Sequence, residues 1–329
     1  SVFFTVISFV FPIKLMSIYS TDLDTINASA SYLKIVSIGF IPMTLTLIIS
    51  TFLRCIGYAK YPMCASIISV FINTGLNYLL IFGKSIFPAM GLEGAAWATN
   101  IARIFEFILI FIFLLVIKRK KKLYISFNLK MDFNFIRKVI LILYPMLICE
   151  FLWSLGENGY AMIYGRIGTE ACAAMTLTGP IQSLLIGIFS GIASASGIIS
   201  GKALGDRQFE DAYIMSKKIF KIGVVGSIII GIFLSAIASL YVKMFQVNYD
   251  IKHNTIYILY GFSLILFAKV SNMILGGGIL RSGGNTKLVM FIDIIGTWMF
   301  GIPIGFIAAF IFRMPIYQVY FLLSLEEII

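Results

Sequence analysis

Apolar runs near 20 residues, separated by short polar turns, recur from one end of this chain to the other. A run of that length spans a bilayer core of roughly 30 Å as a helix. In lipid every backbone N–H and C=O must find its partner inside the protein, so each run is read as an α-helix. A transmembrane β-barrel would instead alternate apolar and polar residues in ~10-residue segments, and that alternation is missing. Only 12% of the 329 residues are charged and 60% are hydrophobic, against about 25% charged in soluble domains. The expected class is an all-α polytopic membrane protein, multi-pass in the plasma membrane. Its spans fall roughly at 1–19, 31–53, 61–82, 94–117, 138–164, 171–202, 219–242, 255–280, 288–312 and 315–329.

The formal net charge is +11, which on a soluble chain would invite a nucleic-acid reading. Here most Lys and Arg sit in alternate loops: Arg54 and Lys60; Lys118–Lys122 with Lys130, Arg137 and Lys138; Lys202 through Lys221; Arg281 and Lys287. The positive-inside rule makes that set cytoplasmic and places the Asp22–Asn27 turn outside. The stretch 118–138 reads as a cytoplasmic link against anionic headgroups, so lipid is an expected partner and nucleic acid is not. Cys55, Cys64, Cys149 and Cys172 show no CxxC spacing, and His253 is the only histidine. Zinc chemistry of the HExxH type is excluded, no cofactor is expected, and the chain is not read as an enzyme.

The string LRCIGYAKYPM at 53–63 returns as LRSGGNTKLVM at 280–290. Arg54 matches Arg281, Gly57 matches Gly284 and Lys60 matches Lys287, without a gap. That separation is too long for a solenoid period and fits a duplicated half, a plan common in secondary transporters. Two pseudo-symmetric helical lobes of six spans each are therefore expected. The first basic turn follows the second span, whereas the second follows the fourth span after the link. The first lobe is thus expected to lack its first two helices, with both ends of the chain cut. The divisions are 1–117 for the first lobe, 118–138 for the link and 139–329 for the second lobe.

Ionisable groups inside spans cost a few kcal/mol each and mark candidate sites. Glu150 and Glu157 lie seven residues apart, hence on a similar helix face. Each is either a protonatable, cation-binding carboxylate facing a cavity or an acid paired with a nearby Arg or Lys. Asp293 sits about 9 Å into its span, cavity-facing or snorkelling. Lys269 is too deep to reach water easily and reads as a counter-ion for Glu150 or Asp293, or as a snorkelled group. Arg103 and Glu106, at i and i+3, are expected to pair. Asn73, Asn77, Trp153 and Gln182 are candidate cavity residues; for the amides the plainer reading is interhelical hydrogen bonding. Gly197, Gly201 and Gly205 form a small-residue stripe, and Gly276–Gly278 a helix-weak triplet that marks a bend or tight packing.

Those strings, with NTGLNYLLIFG, MGLEGAAWATNIAR, PMLICEFLWSLGENGYAMIYGRIGTEACAA and GIISGKALGDRQFEDA, resemble in order and spacing the multidrug and toxic compound extrusion family. The resemblance runs over almost the whole chain, from the family's third helix into its twelfth. It implies alternating access and export of small organic cations in exchange for H⁺ or Na⁺; a monomer is the expected state. It also implies that Glu150 and Asp293 match family carboxylate positions; from its depth and burial Glu150 is expected to carry the coupling, with Asp293 as the weaker partner. The competing reading is a flippase for lipid-linked saccharides, which should expose several cationic residues to its cavity. Only Lys269 and Arg103 lie within spans here.

Overall fold

The computed structural model describes residues 1–17, 23–84, 87–121 and 133–328. Among these, helices dominate and no strand occurs. In chain order they are α1 (Val2–Val10), α2 (Pro12–Met16), α3 (Leu23–Ser37), α4 (Phe40–Cys55), α5 (Lys60–Phe82), α6 (Gly91–Lys121), α7 (Phe133–Ile167), α8 (Thr169–Gly205), α9 (Phe209–Lys243), α10 (Tyr249–Asn272), α11 (Thr286–Ile294), α12 (Ile302–Phe306) and α13 (Ile316–Ser324). Seven helical stretches are long and apolar enough to cross a membrane. The pair α3–α4, bent by 44° between Ser37 and Phe40, would make an eighth. The other two expected spans, at 1–19 and 315–329, fall short of that length among the described residues. The stretch around α1 and α2 is interrupted at Pro12, and α13 has only 9 residues. The expected turn at Asp22–Asn27 is also corrected: Leu23 already opens α3, and Asp22 lies outside the described residues. Helix reaches into both ends of the expected link, and positions 122–132 of it lie outside the described residues.

The chain separates into two compact units, Ser1–Asn128 and Leu129–Ile329. In the first, α6 is the central helix. Its small residues Ala96, Ala98 and Ala102 are buried, and lower down Ile110, Leu114 and Ile117 close on Leu53 and Ala65. Asn100 ties α6 to α3 by donating to the Ile35 carbonyl. Gly39 leaves room for that amide, since an added Cβ would collide with it. Glu106 is buried, pairs with Arg103 at 2.9 Å as the i, i+3 spacing predicts, and accepts from Ser66 at 2.6 Å.

In the second unit α8 and α10 form the centre, with Phe189, Leu234, Ile258, Leu266 and Ile274 in the main core. Gly197 approaches the Gly278 carbonyl, at 3.2 Å from an added Cβ, and Gly201 approaches Ser282. Close packing accounts for those two members of the glycine stripe; Gly205 has open space around it. The Gly276–Gly278 triplet lies in a π-helical continuation of α10, Met273–Leu280. Two further π segments, Ile295–Gly301 and Ile307–Ile311, interrupt the helix after α11.

The repeated string folds the same way twice. Gly57 and Gly284 adopt φ of 86° and 84°. Tyr58 N–H donates to the Leu53 carbonyl at 2.8 Å and Asn285 N–H to that of Leu280 at 3.1 Å; Gly57 bonds Arg54 at 3.0 Å and Gly284 bonds Arg281 at 3.1 Å. This is the helix-ending motif that satisfies two orphan carbonyls through a left-handed residue. The α8–α9 turn repeats it with Arg207 at φ 59° and Gln208 donating to Ala203. An added Cβ meets nothing within 4 Å at either glycine, so substitution there is penalised only through the backbone. Gly57→Ala and Gly284→Ala are each expected to cost about 1 kcal/mol. Arg207→Gly is expected to shift thermal unfolding in detergent the opposite way.

Candidate functional site

The second unit gathers its intramembrane charges into two clusters along α7. The first lies where α7 passes the basic turn. Glu150 Oε1 accepts from Arg281 Nη1 at 2.9 Å, with the glutamate side chain 57% exposed. One residue earlier, the buried Cys149 thiol donates to Asp293 Oδ2 at 2.7 Å and lies 3.3 Å from Arg281 Nη2. The fold therefore brings Glu150 and Asp293 into one network, through Arg281 and Cys149. Glu150 adopts the paired arrangement that the sequence also allowed.

The second cluster surrounds a cavity of about 370 Å³. Glu157, Tyr160 and Tyr164 come from α7, Gln182 from α8, Lys269 from α10 and Glu326 with Glu327 from the 3₁₀ turn after α13. Lys269 Nζ bonds Glu327 Oε1 at 2.9 Å, and Asn272 donates to Glu327 Oε2 at 3.0 Å and to its carbonyl at 2.7 Å. Tyr160 donates to Glu326. The expectation that Lys269 serves Glu150 or Asp293 is thus corrected. Lys269 faces the end of α13, and its ammonium is taken by Glu327. Glu157 makes no hydrogen bond or ion pair with any described residue, and neither does Gln182, whose Nε2 is sealed from solvent.

Pro180 sits inside α8 and Pro145 inside α7. Proline supplies no N–H to the carbonyl four residues earlier, so Thr176, another wall residue, lacks its helical donor. Freed carbonyls of interrupted helices are where transporters hold cations. Among the described residues no group of three His, Cys, Asp or Glu is placed to hold a metal.

The remaining candidates lie elsewhere. Trp153 is 54% exposed on α7 and is not part of this wall. Asn73 and Asn77 belong to the first unit, where Asn77 donates to Asn73 at 3.0 Å and Asn73 to Thr99 at 3.5 Å. The bond to Thr99 of α6 is the interhelical bonding of the plainer reading, and the Asn77–Asn73 bond lies within α5. A larger cavity of about 940 Å³, between α9, α10 and α13, has Tyr257, Phe267, Tyr317 and Phe321 in its wall but no acid or base. Glu326, Glu327 and Tyr160 escaped the sequence reading. Two adjacent acids closing an apolar run are the signal that marks the pair.

The helices, the duplicated turn and the charged cavity inside one helical unit define a polytopic membrane transporter. The MatE family model matches residues 1–79 and 145–307, well over half of the chain, and the chain belongs to that family. The probable multidrug resistance protein YoeA of Bacillus subtilis is 25% identical over 326 residues, covering 96% of this chain and 68% of the relative. The probable multidrug resistance protein NorM of Haemophilus ducreyi is 26% identical, covering 93% and 68%. Among solved structures, a multidrug resistance MATE family transporter of the MOP superfamily in its outward-facing conformation superposes with a TM-score of 0.85. It has 17% identity, with 99% of this chain and 72% of that one covered. A MOP superfamily transporter from Pyrococcus furiosus, whose pocket of reversed polarity suggests a different function for that protein, superposes at 0.86 with 18% identity. Its coverage is also 99% and 72%. These likenesses establish the fold, and the chain is a multi-pass protein of the bacterial plasma membrane.

Proposed function

We propose that this chain is a secondary antiporter that exports small organic cations in exchange for H⁺ or Na⁺ by alternating access. The observation that carries the reading is Glu157. Its carboxylate lies in the wall of the 370 Å³ cavity without a partner, while Lys269, Glu326 and Glu327 are already engaged. Three carboxylates against one ammonium leave the wall with an acidic excess. A cationic solute and a coupling ion compete for the same free carboxylate, which is the logic of exchange. Tyr160, Tyr164, Phe262 and Tyr320 supply the apolar and π surface for an organic cation. The Glu150–Arg281–Cys149–Asp293 network, about two turns from Glu157 along α7, serves as a latch tying α7 to the basic turn and α11.

The names of the curated relatives favour drug export. The flippase reading needs free cationic groups for a pyrophosphate, and the one lysine in this wall is neutralised by Glu327. The test is efflux of ethidium from vesicles carrying the protein, under an imposed pH or Na⁺ gradient. Efflux that follows one gradient and collapses with it supports antiport; efflux indifferent to both overturns it.

A further inference from the structure

Gln182 is a further unpaired polar group of the cavity wall. Its Nε2 is buried and bonded to nothing, although buried polar groups in folded proteins are nearly always paired. Tyr160, Lys269, Glu326 and Glu327, in the same wall, all have partners. A half-turn of the amide about its last bond exchanges its two ends in place. That turns the N–H donors toward the cavity and leaves the carbonyl sealed instead. An under-satisfied carbonyl is better tolerated than an orphaned N–H, so any solute offering an acceptor draws the amide into the turned state.

The wall then presents one free anion, an amide donor from Gln182 beside the Tyr164 hydroxyl, and aromatic faces around a volume near the lower end of ligand pockets, roughly 300–1,000 Å³. We propose that the cavity selects compact monocations that also carry a hydrogen-bond acceptor, such as an ester or amide carbonyl. The cationic head goes to Glu157 and the acceptor to Gln182. This rests on the cation-export reading and adds a specificity residue to it. A site built to bond a polar group discriminates against the analogue that lacks it, because its own polar atom is then left unpaired.

Two probes separate the terms. Acetylcholine and n-pentyltrimethylammonium share a quaternary head and similar length and differ in the ester. Binding of each to the purified full chain in detergent is measured by equilibrium dialysis. Acetylcholine is expected to bind about tenfold more tightly, the worth of one hydrogen bond. Gln182→Leu should erase that preference while keeping the affinity for n-pentyltrimethylammonium. Gln182→Met, of closer shape, guards against a folding artefact and should behave alike. Equal affinity of the wild type for both probes, or a preference that survives both variants, overturns the inference and leaves the export reading standing. If the wild type binds neither probe, the cation site itself is wrong and the inference falls with it.

Discussion

Glu327→Leu is expected to destabilise the protein by about 1–3 kcal/mol, between the cost of breaking a solvated bridge and that of breaking a fully buried ion pair. Lys269 Nζ lies 2.9 Å from Glu327 Oε1, with the two side chains 33% and 18% exposed. Solvent replaces the lost carboxylate only in part, and the lysine is held mid-span on α10 with no other described acid bonded to it. Asn272 loses its side-chain acceptor at the same time. The effect should vanish in large part in the double variant Lys269→Met with Glu327→Leu, because replacing both charges by apolar groups is often neutral or better. Thermal unfolding in detergent, run on the single and double variants, measures both numbers. A single variant as stable as the wild type would mean that the pair behaves as a solvated surface bridge.

Glu157→Gln should leave stability nearly unchanged, since the side chain has no described partner to lose. Its effect falls on binding and transport. Glu157 is itself exposed to the cavity, so removing its charge should lower affinity for a monocation by about fivefold, roughly 1 kcal/mol. Gradient-driven efflux should fall to the uncoupled leak. Glu150→Gln is the contrasting case. It breaks a bridge whose acidic side chain is 57% exposed, worth about 0–1 kcal/mol, and leaves Arg281 against Cys149. Most of the efflux should survive it. This ordering reverses the one drawn from sequence, where Glu150 leads.

That reversal shows what the chain's linear pattern conveys. Apolar length and loop charge revealed the helical spans, and the string around Arg54 and Arg281 foretold two turns that share even their hydrogen bonds. Local spacing was enough for Arg103 with Glu106, because helical neighbours at i+3 meet whatever the tertiary fold. Lys269 had no such guide. Depth along a span gives axial height, but which acid it meets depends on the rotation of α10 and on where α13 ends. The partner lies 58 positions away in a 3₁₀ turn. The break between α3 and α4 was likewise hidden, since Gly39 is explained by Asn100 of α6, a residue that only packing brings near. The orphaned amide of Gln182 depends on tertiary packing, and its sequence neighbour Pro180 announces only that α8, which runs on through it, loses one backbone hydrogen bond there.

The most direct test of the central claim compares ethidium efflux from vesicles of the wild type, Glu157→Gln and Glu150→Gln, at matched amounts of folded protein and under the gradient that drives the wild type. The account predicts that Glu157→Gln runs at the rate seen without a gradient while Glu150→Gln keeps most of the driven flux. Full driven flux through Glu157→Gln would contradict it.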